Sequence, residues 1–294
     1  MRVDPNYVAG LSVALSASSA AEQRLTTELS SGARVQTLSD DAVAVAANVR
    51  LSGAIHGLDA FVQSAGQQQG LLQVTDGALG EVVKQVTAAL SLAVSAGNGT
   101  LNAGNLAAIG QQVTGIRDTV VGIANTTYQG QYIFSGSQSG VKPFGLDSST
   151  VPAGVVYAGD GVVGTIRTPE GSSIAKGVAG LDAFGGVLGA LNGLVADLAG
   201  GNAATIAADA GVLHDALTGL TTVRSGVGNS LSRLEATTTY AQTEETTFQV
   251  RQSALFSADP VQVATELKTA EVQHQALLGV FAQLERVNLF DYLK

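Results

Sequence analysis

Residues 51–90 read LSGAIHGLDAFVQSAGQQQGLLQVTDGALGEVVKQVTAAL. Within them Leu51, Ile55, Leu58, Val62, Ala65, Gln69, Leu72, Asp76, Leu79, Val83, Val86 and Leu90 follow one another at alternating steps of four and three. Ten of these twelve positions are apolar. An α-helix completes a turn every 3.6 residues, so the spacing draws a single apolar seam along one long helix. The run Gly97-Asn98-Gly99 ends it, because Gly and Asn accept the left-handed backbone that closes a helix C-terminus.

The same pattern recurs outward in both directions. Leu106, Ile109, Val113, Ile116, Val120 and Ile123 form a second seam, and the short connection before it predicts an antiparallel helix pair. Ile206, Ala210, Leu213, Leu217, Leu220, Val227, Leu231, Leu234, Ala241, Phe248 and Leu255 share one heptad frame, with Arg224, Thr238, Glu245 and Gln252 filling its gaps. Asp259-Pro260 then breaks the chain and starts a helix: Asp caps, Pro suits the first helical position, and Gln262 stands where a capping box places its partner. The last seam is Val263, Leu267, Ala270, His274, Leu277, Phe281 and Leu284. The N-terminus carries a weaker counterpart in Val8, Leu11, Leu15, Ser18, Glu22, Leu25 and Leu29, so the two ends of the chain are suited to pair.

Between the helical halves, about residues 131–180, glycine becomes frequent and three of the five prolines occur. The period also shortens to two. Val155 to Ala158, Gly159-Asp160-Gly161 and Val162 to Thr168 read as a hairpin about a Gly-rich turn. The fold class expected is mainly α: an elongated helical rod with a terminal coiled coil and a small inserted β domain.

Composition bounds the function. Charged residues are 13%, about half the usual quarter, and the net charge is −9. An acidic chain lacks the basic patches that nucleic acid and anionic membranes require. With no cysteine, disulfides, thiolate metal sites and Cys nucleophiles are excluded. No apolar run approaches the roughly 18–20 residues of a membrane span. No leader with a charged start and apolar core is visible at the N-terminus. By these measures the chain reads as soluble and cytoplasmic.

Candidate chemistry is sparse. Gly159-Asp160-Gly161-Val162-Val163-Gly164 has the G-x-G-x-x-G spacing that would suggest a nucleotide-dependent oxidoreductase. That fingerprint needs a following helix to meet the pyrophosphate, and here Thr165 to Thr168 is strand-like and ends at Pro169. Ser173-Ile174-Ala175-Lys176 matches S-x-x-K without its partner motifs. His56, His214 and His274 fall on separate helices with no ligand spacing. Asp40-Asp41 after Ser39 reads as capping at a helix head rather than as an acid–base pair. Asn98-Gly99-Thr100 and Asn125-Thr126-Thr127 fit a glycosylation pattern that arises often by chance. Neither catalytic, cofactor-binding nor metal-binding residues are expected, and no small-molecule substrate.

Several stretches resemble the bacterial flagellin superfamily. Ser30-Ser31-Gly32-Ala33-Arg34-Val35 with Ser39-Asp40-Asp41 is similar to its N-terminal signature. Asn125 to Gly136, with Gly130, Tyr132, Phe134 and Gly136, then Pro143-Phe144 and Tyr157-Ala158-Gly159-Asp160 continuing to Gly180 and Phe184, resembles the junction-protein type within it. Asn288-Leu289-Phe290-Asp291-Tyr292-Leu293 is similar to the family's C-terminal ending. Leu38 and Ala42 stand where many relatives carry proline, and Ala42 matches flagellin itself.

The resemblance implies a non-enzymatic structural subunit of the flagellum that joins the hook, through hook-associated protein 1, to the flagellin filament; a flagellin filament subunit is the nearest alternative. It implies a terminal domain of residues 1–39 with 257–294, a central helical domain of 40–130 with 181–256, and the β insert at 131–180. It also implies a homo-oligomeric ring, an export chaperone, and secretion through the flagellar channel without a cleaved signal. Intersubunit contacts are expected from the terminal seam: Leu11, Leu15, Leu25, Leu29, Leu267, Leu277, Phe281 and Leu284.

Overall fold

Long uninterrupted 3-4 spacing folds as long helices. The computed structural model describes residues 5–37 and 39–292, with side chains described over 9–37 and 39–283. Among the described residues six helices run α1 Pro5–Ser31, α2 Ala42–Gly97, α3 Ala103–Ala124, α4 Gly180–Gly200, α5 Ala203–Phe256 and α6 Pro260–Tyr292. Between α3 and α4 lie six short strands, β1 Thr127–Tyr128, β2 Gln131–Tyr132, β3 Phe144–Asp147, β4 Gly154–Tyr157, β5 Thr165–Arg167 and β6 Ser173–Ala175. They form three separate antiparallel ladders, β1 with β2, β3 with β4 and β5 with β6. The protein is mainly α with a small strand region, as the spacing predicts.

The chain divides into two compact units. One comprises Met1–His56 with Glu245–Lys294, the other Gly57–Glu244. In the second unit the buried residues of α2 are Leu58, Phe61, Ala65, Gln68, Leu72, Thr75, Leu79, Val82, Val86, Ala89, Ala93 and Ala96. Half of the predicted seam is therefore correct. The other half is displaced by one position: Val62, Gln69, Asp76, Val83 and Leu90 are half-buried, and the row beginning at Phe61 takes the interior. α3 shifts likewise, burying Leu106, Val113, Val120, Arg117 and Ala124 while Ile109, Ile116 and Ile123 stay half-buried. On α5 the predicted Ile206, Leu213, Leu220, Val227, Leu234 and Ala241 are buried, while Ala210, Leu217, Leu231, Phe248 and Leu255 of the same frame are half-buried.

Within this unit α2 and α5 run antiparallel. The Arg224 guanidinium grips Asp76 with two hydrogen bonds of 2.8 and 3.0 Å. Towards their other ends, a Cβ on Gly97 would lie 3.0 Å from Ala207 Cα, so glycine permits the approach. α4, for which the sequence reading drew no seam within its helical domain 181–256, packs against α3. Among α4's interior residues are Phe184, Val187, Leu188, Leu191, Leu194 and Leu198. α4 and a window of α2 have the length and mean apolarity of a membrane span, which the run-based reading passed over because glycine and polar residues interrupt both. In α4 the buried face accounts for the apolarity.

Asp209 on α5 and Asp197 on α4 form a carboxyl pair. Burial, then the negative charge and hydrogen bond of Asp197, push Asp209 from its ordinary 3.8 up to about 6, and its Oδ2 is buried without a partner. A raised folded-state pKa contributes stability that is full below the ordinary value and lost as pH rises through about 6. Asp209→Asn should therefore stabilise the protein at pH 7.5. The shift is discounted for solvent around this half-exposed group to about 1 kcal/mol, or about 2–4 °C in Tm. At pH 4 the gain should vanish; an equal gain at both pH values in a thermal melt would refute the shared proton.

The predicted hairpin about Gly159–Gly161 does not form. β4 pairs upstream with β3, and β5 pairs downstream with β6. The turn of the latter pair is Thr168-Pro169-Glu170-Gly171, closed by Gly171 N–H donating to Thr168 O at 2.9 Å with Gly171 at φ +87. Pro169 thus begins a turn instead of breaking a strand. Gly159–Gly164 is followed by β5, not by a helix, and Ser173 of the S-x-x-K match lies in β6.

Candidate assembly surface

In the unit formed by both ends of the chain, α1 packs against α6. Leu11, Leu15, Leu267, Leu277 and Phe281 are half-buried and Leu25 is buried. Leu29 is exposed, because the interior position one step earlier is taken by Glu28. The side chain of Leu284 lies outside the described residues. His274 is half-buried on α6, its Nδ1 enclosed and without a partner, while His56 and His214 are exposed.

A short bridge joins the two ends beside these helices. Gly32, at φ +68, closes α1, which only glycine does without strain. Its carbonyl accepts from Ala258 N–H at 2.9 Å, and Arg34 N–H donates to Phe256 O at 2.7 Å. The Arg34 guanidinium donates to Leu255 O at 3.1 Å and to Asp41 Oδ2 at 3.0 Å.

Asp40 and Asp41 divide the capping between them. Asp41 Oδ1 accepts from Ala44 N–H at 2.9 Å and caps α2. Asp40 instead holds the preceding turn, accepting from the Thr37 hydroxyl and from the N–H groups of Thr37 and Gln36. Ser39 Oγ is 2.8 Å from that hydroxyl. The Thr37 hydroxyl, then the two N–H groups, hold the Asp40 pKa below the usual carboxylate range; for Asp41 the Ala44 N–H leads and Arg34 follows. Asp259 caps α6 through Val261 N–H at 2.9 Å, but the expected capping box is incomplete, because Gln262 donates to Glu266.

The remaining motif positions gather at one knot in the second unit. Gln129 and Gly130, at φ 51 and 79, make the two-residue turn of β1–β2. Phe134 meets Phe184 edge to face at 4.6 Å, Phe144 meets Phe184 at 5.7 Å, and Phe144 meets Tyr157 at 4.9 Å. The Tyr157 hydroxyl lies 3.1 Å from Phe134 O and 2.8 Å from Asp160 O. Asp160 accepts from Ser137 N–H and hydroxyl and from Val162 N–H, and the Ser137 hydroxyl first holds its pKa low. Asn125 clasps Phe144 at both backbone groups, and Pro143 O accepts from Ala158 N–H. A Cβ on Gly159 would lie 2.8 Å from Ser135 O; one on Gly136, already at φ +70, would strike Asp160. These contacts make Tyr132 to Gly136 and Tyr157 to Asp160 one packed cluster. The side chains of Asn125, Ser137, Tyr157 and Asp160 all bond to other parts of it, which suits a rigid platform.

Sequence reasoning missed Arg117. It is buried on α3, donating to Asp118, Ala153 O and Asn192. A lone cation on an otherwise apolar face was the available signal. Among the described residues no group of three or more His, Cys, Asp or Glu is placed to hold a metal ion.

Paired terminal helices, a helical unit of heptad design and a strand insert tied by a motif cluster are the parts of a structural assembly protein of flagellin type. Residues 9–139 match the bacterial flagellin N-terminal helical region and residues 210–293 the bacterial flagellin C-terminal helical region. The chain belongs to the bacterial flagellin superfamily, whose family and fold are those of structural flagellar proteins.

Within it, the chain is 24% identical to flagellar hook-associated protein 3 of Salmonella typhimurium over 295 residues, covering 91% of this chain and 92% of that one. It is 33% identical to flagellin of Clostridium tyrobutyricum, but over 39% of this chain and 30% of that one. The chain spans less than half the length of the flagellins of Clostridium tyrobutyricum and Bacillus subtilis. A solved flagellar hook-associated protein from Vibrio parahaemolyticus shares the fold at TM-score 0.66 and 15% identity, over 74% of this chain and all of that one.

Proposed function

We propose that this chain is the adaptor at the hook–filament junction, seated between hook-associated protein 1 and flagellin as a ring of identical copies. The supporting observation is the extent of likeness. The hook-associated protein 3 of Salmonella typhimurium aligns over nine-tenths of both chains, whereas the flagellins align over part of each. In this reading the terminal domain, 1–39 with 257–294, carries the intersubunit contacts, the central helical domain spans 40–130 with 181–256, and the β insert spans 131–180. The chain is exported through the flagellar secretion channel, with a chaperone holding it before export.

A flagellin subunit is the second reading, favoured by the higher local identity to flagellins. Antibody labelling of isolated flagella separates the two. The adaptor reading predicts label confined to the junction; label along the filament would overturn it.

A further inference from the structure

Glu28 is 7% exposed, and among the described residues no hydrogen bond or ion pair reaches its carboxylate. It lines a cleft of about 390 Å³ with Arg24, Arg34, Asp40, Asp259 and Glu266. Most neighbouring charges are committed elsewhere. Arg34 is bound to Asp41 and Leu255 O, both Asp40 oxygens are held by the 36–37 turn, and Arg24 leans on Asp40. Asp259 Oδ1 caps α6 and Glu266 Oε1 accepts from Gln262. What remains is an acidic socket whose innermost group lacks a partner. Its carboxylate faces the cleft, where a cation entering from outside would pair with it through charge-assisted hydrogen bonds. Two exposed apolar side chains neighbour its lining in sequence, Leu29 after Glu28 and Val261 before Gln262.

The same unit presents a matching face. On α2, Val43, Ala46, Arg50 and Gly53 follow at steps of three, four and three, and all are exposed. Val43 is 81% exposed, a Cβ on Gly53 would meet nothing within 4 Å, and Arg50 has no partner among the described residues. Arg50 lies nine residues beyond Asp41, about 13 Å along the helix, so it serves a socket other than its own.

We infer that the cleft at Glu28 receives Arg50 of a second copy of this chain, in a head-to-tail contact that repeats around the ring. The contact is heterologous, the kind from which rings and helical assemblies are built. The small residues around Arg50 let α2 approach closely. Leu29 and Val261 supply the apolar rim that meets Val43, and the guanidinium gives Glu28 the bidentate partner it lacks.

This inference rests on the junction reading, and a double-mutant cycle in the full chain tests it. The readouts are the melting temperature of the purified monomer and the amount of chain in isolated flagella. Glu28→Gln should leave the monomer's melting temperature unchanged or raised, and lower incorporation by about tenfold or more. Arg50→Gln should do the same, and the double variant should be no worse than either single one. A lowered monomer melting temperature for Glu28→Gln would make Glu28 a structural group of its own chain and overturn the inference. Normal incorporation of either variant, or additive losses in the double, would overturn it too. If the unaltered chain is itself missing from isolated flagella, the junction reading fails instead.

Discussion

Replacing Leu277 and Phe281 together by aspartate is expected to abolish incorporation into flagella while leaving residues 57–244 folded. Both side chains are half-buried on α6, which packs against α1. Each substitution removes an apolar group worth roughly 1.5–3 kcal/mol when buried and places a carboxylate in its stead. That face is otherwise modest: between Leu15 and Leu25 α1 offers Ser18 and Glu22 to it. The pairing of α1 with α6 therefore does not survive the double substitution. The second unit is compact in its own right, with its heptad rows unbroken. Hydrogen exchange of the variant should show protection retained across 57–244 and lost from 9–31 and 260–283. Incorporation at the unaltered level would show that the paired ends are not the assembly element.

Gly180→Ala is expected to lower stability by about 3 kcal/mol, at the upper end of ordinary overpacking. Its Cβ would strike Phe134 O, and the rings of Phe144 and Tyr157 would both lie within 2.9 Å of it. None of these can retreat. Phe134 O accepts from Gly180 N–H, Phe144 is clasped by Asn125, and the Tyr157 hydroxyl is held at two carbonyls. The loss corresponds to about 6–12 °C in Tm for a unit of this size. Gly186→Ala, on the same helix with nothing within 4 Å, is the control and should raise stability by up to about 1 kcal/mol. Similar melting temperatures for the two variants would refute the steric account of the knot.

How far the sequence disclosed this fold depends on where apolarity and burial coincide. On α5 they coincide: Ile, Leu and Val recur every seventh place, and that row is the buried one. On α2 the interior second row is Phe61, Gln68, Thr75, Val82, Ala89 and Ala96, half of it small or polar. A reading that rewards apolarity chose Val83 and Leu90 instead. At the end of α1 it chose Leu29 over Glu28 for the same reason, and so passed over a carboxylate residue on the interior face. α4 escaped notice because six glycines punctuate its 21 residues, and glycine ordinarily signals loop. The strand pairing was illegible locally. Tyr157 and Asp160 tie their loop to residues 134–137, more than twenty positions upstream, and that bond prevents β4 from turning back on β5.

The most direct test of the junction assignment is electron microscopy of the native host with this gene deleted, together with a blot of the culture medium for flagellin. The account predicts bare hooks with flagellin lost to the medium. Full-length filaments on the deleted strain would contradict it.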